Sequence, residues 1–431
     1  MINKDNEIDV EEYLSNFYKG KKNPSLKAMK FFMEKFHNFE KNMKFIHIAG
    51  TNGKGSCTEM ISNILEKQGY RVGKFLSPHL IKYNERISIN KKEISNKEML
   101  DLIKELQPLI EEYNGKEGTN ITLFELITIM ALLYFYRNKV DFVVLETGLG
   151  GLFDCTNIIS KPLVSIVTSI GYDHMKILGD TLPQIAYQKA GIIKNNSNTV
   201  IFEQSQEIDE VFFKECEKKE NNLYIVKEKD ISNYHFDGMF EYFDYNGMKN
   251  IHTNLKGKVQ IKNVCICIEA VKILNEYGYK ISDNSIIEGI TTIIHKGRME
   301  ILNDTPKIIF DGAHNEPAVN NLLNMIDTYY SNSKRVYIIS ILKTKDYTKM
   351  LEILSKDENA YFVMTSGNNS DKYVTSDELY DCMKKYVNEN RIKKENLDNA
   401  IENVMKENTK LVTFVIGSFY VYGDVTRKIK N

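Results

Sequence analysis

Short apolar runs alternate with amphipathic stretches through most of this chain. "KFIHIAG", from Lys44, reads as a strand. The next run, "SCTEMISNILEKQG", puts Met60, Ile61, Ile64 and Leu65 on one helical stripe, and Gly69 suits a helix end. "DFVVLETG" and "PLVSIVTSI" are two further strands, and their all-apolar character fits a parallel sheet covered on both faces. After about Ser205 the pattern weakens. "YHFDGMFEYFDYNGMKNIHTNL" alternates aromatic and polar residues around Asn246-Gly247, which predicts antiparallel hairpins attached to the first domain. "QIKNVCICIEAVKILNEYG" returns to a helix. "HKGRMEIL", from His295, has no clear periodicity and reads as a linker. A second alternation follows, with "KIIFDGAHN", "RVYIISIL", "AYFVMTS" and "KLVTFVIGS" as strands and "LDNAIENVMKE" as the clearest helix. The pattern predicts a smaller doubly wound domain.

Composition narrows this picture. The 431 residues are comfortable for two or three domains. A hydrophobic content of 42% with 27% charged residues is a soluble, folded mixture, and a net charge of −1 gives no basic surplus for nucleic acid. The N-terminus, "MINKDNEIDVEEYL", has no apolar signal core. The most apolar window, "ITLFELITIMALLYFYR", is short for a membrane span and carries Glu125 inside it, so a buried helix is expected. None of the six cysteines forms a C-x-x-C pair, and Cys265 and Cys267 are a weak metal signal. Reduced thiols in a cytoplasmic protein are expected.

"GTNGKGS", between the first strand and its helix, looks like a phosphate-binding loop but misses the common G-x-x-x-x-G-K-[S/T] spacing. Gly55 follows Gly53-Lys54, so Ser56 comes one place late, and Ile48 stands where the first glycine belongs. The physical parts are still present: glycines for close backbone approach, a helix N-terminus, and the positive head of Lys54. With the serine displaced, a bound Mg²⁺ calls for another ligand. Glu146 ends one buried strand, and Asp173-His174 follow the next. Lys189, in "AYQKAGII", reads by default as a solvated lysine on a short helix. Asp311 and His314 follow a buried strand of the second domain, where an acidic residue could hold a ribose or a substrate amine.

Taken in order, "AGTNGKGS", "FLSPHL", "NERI", "ETGLGGLFDCTN", "TSIGYDHMKILGDT", "QKAGII", "HKGRME", "DGAHN" and "GSFY" resemble the signature segments of the folylpolyglutamate synthase/dihydrofolate synthase family, a branch of the Mur ligase superfamily. The glycine-loop spacing is that family's own variant. The resemblance implies an α/β fold: a P-loop-type, mostly parallel sheet domain with an antiparallel subdomain over 1–296, then a smaller Rossmann-like C-terminal ligase domain over 297–431. It also implies that L-glutamate is joined to the carboxylate of a reduced folate at the expense of ATP, through an acyl phosphate, with dihydropteroate as a further candidate acceptor.

Roles follow residue by residue from the same resemblance. Gly53, Lys54, Gly55 and Ser56 would cradle the ATP phosphates. Ser77, Glu146 and His174 would bind Mg²⁺, and Lys189 matches a lysine that carries a carbamate able to hold a second Mg²⁺. Lys54, His174 and Lys189 are thus the expected catalytic groups. Asn263, Arg298 and Asp311 match ATP-contacting positions, with Arg298 in the linker and brought to the phosphates by domain closure. Phe124, the loop 148–154 with Leu152, and His314 would serve the substrates. A monomer is expected. Leu152 departs from the family, whose members commonly have arginine there. Pro317 comes one place later than usual, and Thr344 replaces a common aspartate. Two other readings are a peptidoglycan-building Mur ligase, against which "SPHL" and "DGAHN" count, and a P-loop ATPase switch that would hydrolyse ATP without glutamate.

Overall fold

Three sheets carry the chain in this computed structural model, which describes residues 10–17, 25–116, 119–368, 370–406 and 411–430. The first sheet comprises β1 (Phe45–Ala49), β2 (Val72–Phe75), β3 (Ile87–Ile89), β4 (Lys92–Glu93), β5 (Phe142–Glu146), β6 (Val164–Val167), β7 (Asn198–Phe202) and β8 (Asn222–Val226). Their spatial order is β4-β3-β2-β5-β1-β6-β7-β8. Pairing is parallel along the run β2-β5-β1-β6-β7-β8, and only the β2–β3 and β3–β4 pairs are antiparallel. Every residue of β1, β5, β6 and β7 is buried, as a sheet covered on both faces requires. The chain leaves β1 for β2 on one side and later crosses to β6 on the other. The C-terminal ends of β5, β1 and β6 therefore flank a point where strand order reverses, the usual ligand position in such sheets.

The expected hairpins are present. β9 (Ile231–Phe236), β10 (Glu241–Tyr245) and β11 (Met248–Thr253) form a separate antiparallel sheet. Asn246 and Gly247 join β10 to β11 with φ of 46° and 83°, the left-handed pair that a two-residue hairpin needs. Asn90 and Lys91, at 45° and 65°, do the same between β3 and β4. The pattern of the sequence did not foresee that turn, because it contains no glycine.

Glu125 is not a charge stranded in an apolar helix. It sits at the third position of helix Leu123–Arg137, where its carboxylate accepts the Thr122 amide and hydroxyl, each at 2.8 Å, while the Thr122 hydroxyl accepts the Glu125 amide. This capping box satisfies groups that the helix end would otherwise leave unpaired. The rest of that helix packs with Lys27–Lys35 and Asn96–Asn114 in one hydrophobic core. Among the described residues, no helix is long and apolar enough to cross a membrane.

The third sheet has the order β12-β13-β17-β14-β15-β16, from β12 (Glu300–Asp304), β13 (Lys307–Asp311), β14 (Arg335–Ile339), β15 (Ala360–Met364), β16 (Ile392–Lys394) and β17 (Val412–Ile416). All pairs are parallel except β12 with β13. The residues read as a linker thus run directly into an edge strand. By contacts the chain divides into two units. One runs to Ile170 and adds Leu178–Asn254 and Gln260–Ile293; the other comprises Gly171–Ile177, Leu255–Val259 and the chain from Ile294 onward.

Within the first unit, helix Lys54–Lys67 is clamped by helix Asp283–Thr291. A Cβ on Gly289 would stand 2.6 Å from the Ile64 Cα and 2.7 Å from its amide nitrogen, backbone atoms that cannot rotate away. Gly289→Ala should therefore destabilise the protein by about 2 kcal/mol through overpacking. Urea unfolding of the variant will show a lower midpoint. An unchanged midpoint would mean that the two helices are not held this close.

Candidate functional site

The glycine turn follows β1 directly. Gly50 has φ 148°, and a Cβ there would lie 1.8 Å from the Thr168 hydroxyl, so no other residue fits against the end of β6. Thr168 donates to the Asn52 carbonyl at 2.7 Å, and the Thr51 amide donates to the Ser169 carbonyl at 2.7 Å. These bonds fix the turn to the neighbouring strand. Gly53, at φ 93°, precedes the first turn of helix Lys54–Lys67, and a Cβ on it would meet the Asn263 amide group at 2.8 Å. Gly55 lies in that first turn, and Ser56 is buried there. Lys54 bends back so that Nζ donates to the carbonyls of Gly50 and Thr51, at 3.0 and 3.2 Å.

Lys189 is not solvated. It ends helix Leu182–Ala190, is only 4% exposed, and donates from Nζ to the same Gly50 carbonyl at 2.7 Å. Two ammonium groups therefore meet on one carbonyl oxygen. A lysine at the inner face of an amphipathic helix has no periodic signature, which is why pattern alone misplaced it. Glu146, at the end of β5, is buried and accepts the Ser77 amide at 3.2 Å. Among the described residues, no three His, Cys, Asp or Glu side chains converge as a metal site. Glu146 with hydroxyl and phosphate oxygens is nevertheless a set that suits Mg²⁺, which commonly takes one or two carboxylates.

The loop 148–154 is tied down at both ends. The Asp154 carboxylate accepts the amides of Leu149 and Thr156 and the Thr156 hydroxyl, at 2.8, 3.0 and 2.5 Å. The Leu152 amide donates to the Gln188 carbonyl at 2.7 Å, and its carbonyl accepts from Asn157 at 3.0 Å. Leu152 itself is half-buried and Phe153 is exposed. The Phe124 ring closes over Gly148, where a Cβ would come within 2.4 Å of it.

The second unit has its own polar cluster. Asp173, in the segment Gly171–Ile177, accepts from Lys345 Nζ at 2.7 Å and from Asn315 Nδ2 at 3.0 Å. His174, at φ 51°, has Nε2 3.3 Å from the same Lys345 Nζ. His314 Nδ1 bonds the Gly312 carbonyl at 2.7 Å, and its Nε2 lies 3.8 Å from Asp173. Asp311 is buried and accepts the amides of Met299 and Ala313, both at 2.9 Å, while the Arg298 guanidinium lies 4.6 Å over the Phe419 ring. Thr168, Asn315 and Lys345 were not singled out from the sequence. Each had a signal: a threonine at a strand end, the asparagine of "DGAHN", and the lysine beside the unusual Thr344.

Residues 48–271 match the Mur ligase middle domain family, and residues 296–428 match the dihydrofolate synthetase C-terminal domain family. The dihydrofolate synthase/folylpolyglutamate synthase of Bacillus subtilis is 34% identical over 415 residues, covering 94% of this chain and 95% of that protein. This chain belongs to that ligase family. Among solved structures, a Mycobacterium tuberculosis folylpolyglutamate synthase complexed with ADP and AMPPCP superimposes with a TM-score of 0.87 at 26% identity, over 97% of both chains. A Thermotoga maritima folylpolyglutamate synthase gives 0.82 at 30% identity, over 97% of this chain and 96% of that one.

Three histidines of the ligase are held neutral by burial and nearby cations. Burial, with Lys194, pushes His47 down to about 3. His79 falls to about 3 by burial and Arg86, and His314 to about 3 by burial with Lys345 and Arg298. Burial alone would raise Asp173, but the Lys345 ammonium beside it outweighs burial and holds the carboxyl below the usual carboxylate range. An unfolded histidine titrates near 6.5, so the unfolded chain binds more protons than the folded one from about pH 6.5 down to about 3. Stability should therefore fall as pH drops through that window, by up to roughly 1.4 kcal/mol per pH unit for each histidine. Asp173 acts lower, its contribution being lost only below the unfolded value of about 3.9. Urea midpoints from pH 7.5 to 5 check this, and His314→Gln should remove about one third of the slope. A flat profile would contradict the neutral state of all three.

Proposed function

We propose that this ligase joins L-glutamate to the carboxylate of a reduced folate, with ATP as the energy source. The supporting observation is the meeting, at the ends of β5, β1 and β6, of a glycine turn, Lys54, Glu146 and buried Lys189. The folate carboxylate attacks the γ-phosphorus of ATP, giving an acyl phosphate and ADP. The glutamate amine then attacks the acyl carbon, phosphate leaves, and the new amide nitrogen loses its proton. A free carboxylate resists amine attack because oxide would have to leave, and phosphorylation replaces oxide with phosphate. Gly53, Gly55 and Ser56 present the helix N-terminus to the ATP phosphates, Asn263 backs Gly53, and Lys54 offsets the charge that develops on the transferred group. Arg298 and Asp311 as nucleotide contacts and His174 as a metal ligand rest on the family resemblance alone, as do His314, Phe124 and loop 148–154 as substrate contacts.

Mg²⁺, held by Glu146 and Ser77, would supply further positive charge at the phosphates. Lys189 fits the carbamate that the resemblance implies. A second cation on the Gly50 carbonyl is repelled by Lys54, whereas addition of CO₂ to the Lys189 amine, with loss of a proton, leaves an anion beside it.

Phosphate release in the presence of L-glutamate, compared across tetrahydrofolate, dihydropteroate and a Mur-type precursor, tests the function. Turnover with the Mur precursor alone, or ATP hydrolysis indifferent to glutamate, would refute it. Lys54→Ala should cut kcat by about a hundredfold or more while the protein stays folded, as loss of a contact to transition-state charge requires. Lys189→Ala should be inactive and partly restored by short carboxylic acids that replace the missing anion; restoration by short amines instead would argue for a cationic role. Leu152 offers no paired hydrogen bonds to the folate or glutamyl part of a ligand. The enzyme should therefore use tetrahydrofolate better than dihydropteroate, and Leu152→Arg should narrow the difference in kcat/KM.

A further inference from the structure

His47 is the middle residue of β1, a strand otherwise made of Phe, Ile and Ala, and it has no exposed surface. An apolar residue would fill this place at no polar cost. The imidazole is instead bound at one end. Its Nε2 lies 2.8 Å from the hydroxyl of Thr156, itself fully buried. That hydroxyl has one proton and gives it to the Asp154 carboxylate. Its lone pair must then face the imidazole, so His47 carries its proton on Nε2. Nδ1 is left as a buried lone pair with no hydrogen-bond partner among the described residues. Asp154 completes the line by accepting the amides of Gly148 and Leu149, at the opposite end of the loop it terminates.

We propose that His47 and Thr156 are positioning residues, which register loop 148–154 against the strand that leads into the phosphate turn. The inference rests on the reading that this loop faces the folate. Gly50 is three residues beyond His47 on the same chain, and Asp154 gathers both ends of the loop. The line His47–Thr156–Asp154 therefore sets where the loop stands relative to the turn. Without the Thr156 hydroxyl, Asp154 loses one of its donors and the loop loses its link to β1, while the turn keeps its own bonds to Thr168 and Ser169.

Steady-state kinetics separate this role from simple core stabilisation. Thr156→Val keeps the shape and removes the hydroxyl. It should raise the folate KM at least tenfold with the ATP KM within twofold, whereas Thr156→Ser should stay within threefold of the parent for both. His47→Gln, which can place an amide nitrogen near the Nε2 position, should resemble the parent, and His47→Leu should resemble Thr156→Val. Nitrogen-15 spectra of the histidine-labelled parent protein should contain a neutral imidazole protonated at Nε2 that disappears in His47→Gln. An unmoved folate KM in Thr156→Val, an equal rise in both KM values, or a proton on Nδ1 would overturn the proposal. A parent enzyme inactive on every folate would overturn the functional reading and the positioning role together. An active parent with an indifferent Thr156→Val overturns the positioning role only.

Discussion

The Gly50 carbonyl is the point on which the arrangement around the first unit's glycine turn depends. Two lysines from different helices end on this one oxygen, and the residue that carries it has no room for a side chain. Backbone, not side chain, thereby fixes the spacing of the two amines. A carbonyl cannot swing as a carboxylate can, because it is locked into the turn by the bonds of Thr51 and Asn52 to the end of β6. The position of Lys54 and Lys189 is then set by the sheet itself. The strands β5, β1 and β6 are wholly buried and cannot shift independently, so the site inherits their rigidity.

The second unit uses a different device. Asp173 gathers Lys345 and Asn315 around one carboxylate, which stays ionised because the Lys345 charge outweighs its burial. Burial, with Lys345 and Arg298, keeps His314 uncharged. Lys345 thus stabilises the charge of one side chain and opposes that of its neighbour. Such a cluster holds a lone pair on His314 ready at neutral pH, where a solvated histidine would be partly protonated.

Much of this was legible in the sequence. Predominantly apolar runs such as "FVVLE" and "TFVI" are buried parallel strands, and Asn246-Gly247 is the hairpin turn it resembles. The glycine turn and Glu146 stood out because strand ends are marked by an abrupt change from apolar to polar residues. What escaped was set by tertiary contact. Lys189 looks solvated until its helix is packed on the glycine turn, and β2 to β4 are too short for alternation to register. The β3–β4 turn places Asn and Lys in the left-handed region without a glycine to announce it. Capping boxes at Thr122, Thr181 and Thr375 were written in plain sight as threonine followed three places later by Glu or Gln. They would have placed three helix starts that apolar periodicity left vague.

The clamp between Gly289 and Ile64 has a consequence for how this chain can change over time. Helix Lys54–Lys67 begins at the glycine turn, so its axis cannot retreat without moving the turn. No side chain can be added at position 289 unless the backbone at position 64 gives way, and that backbone belongs to the helix that begins at the glycine turn. The two sites are therefore not independently variable. Position 289, although 226 residues along the chain from Asn63, which bonds its carbonyl, is inherited together with the helix that follows the glycine turn, and drift there is constrained by the placement of that turn as well as by local packing.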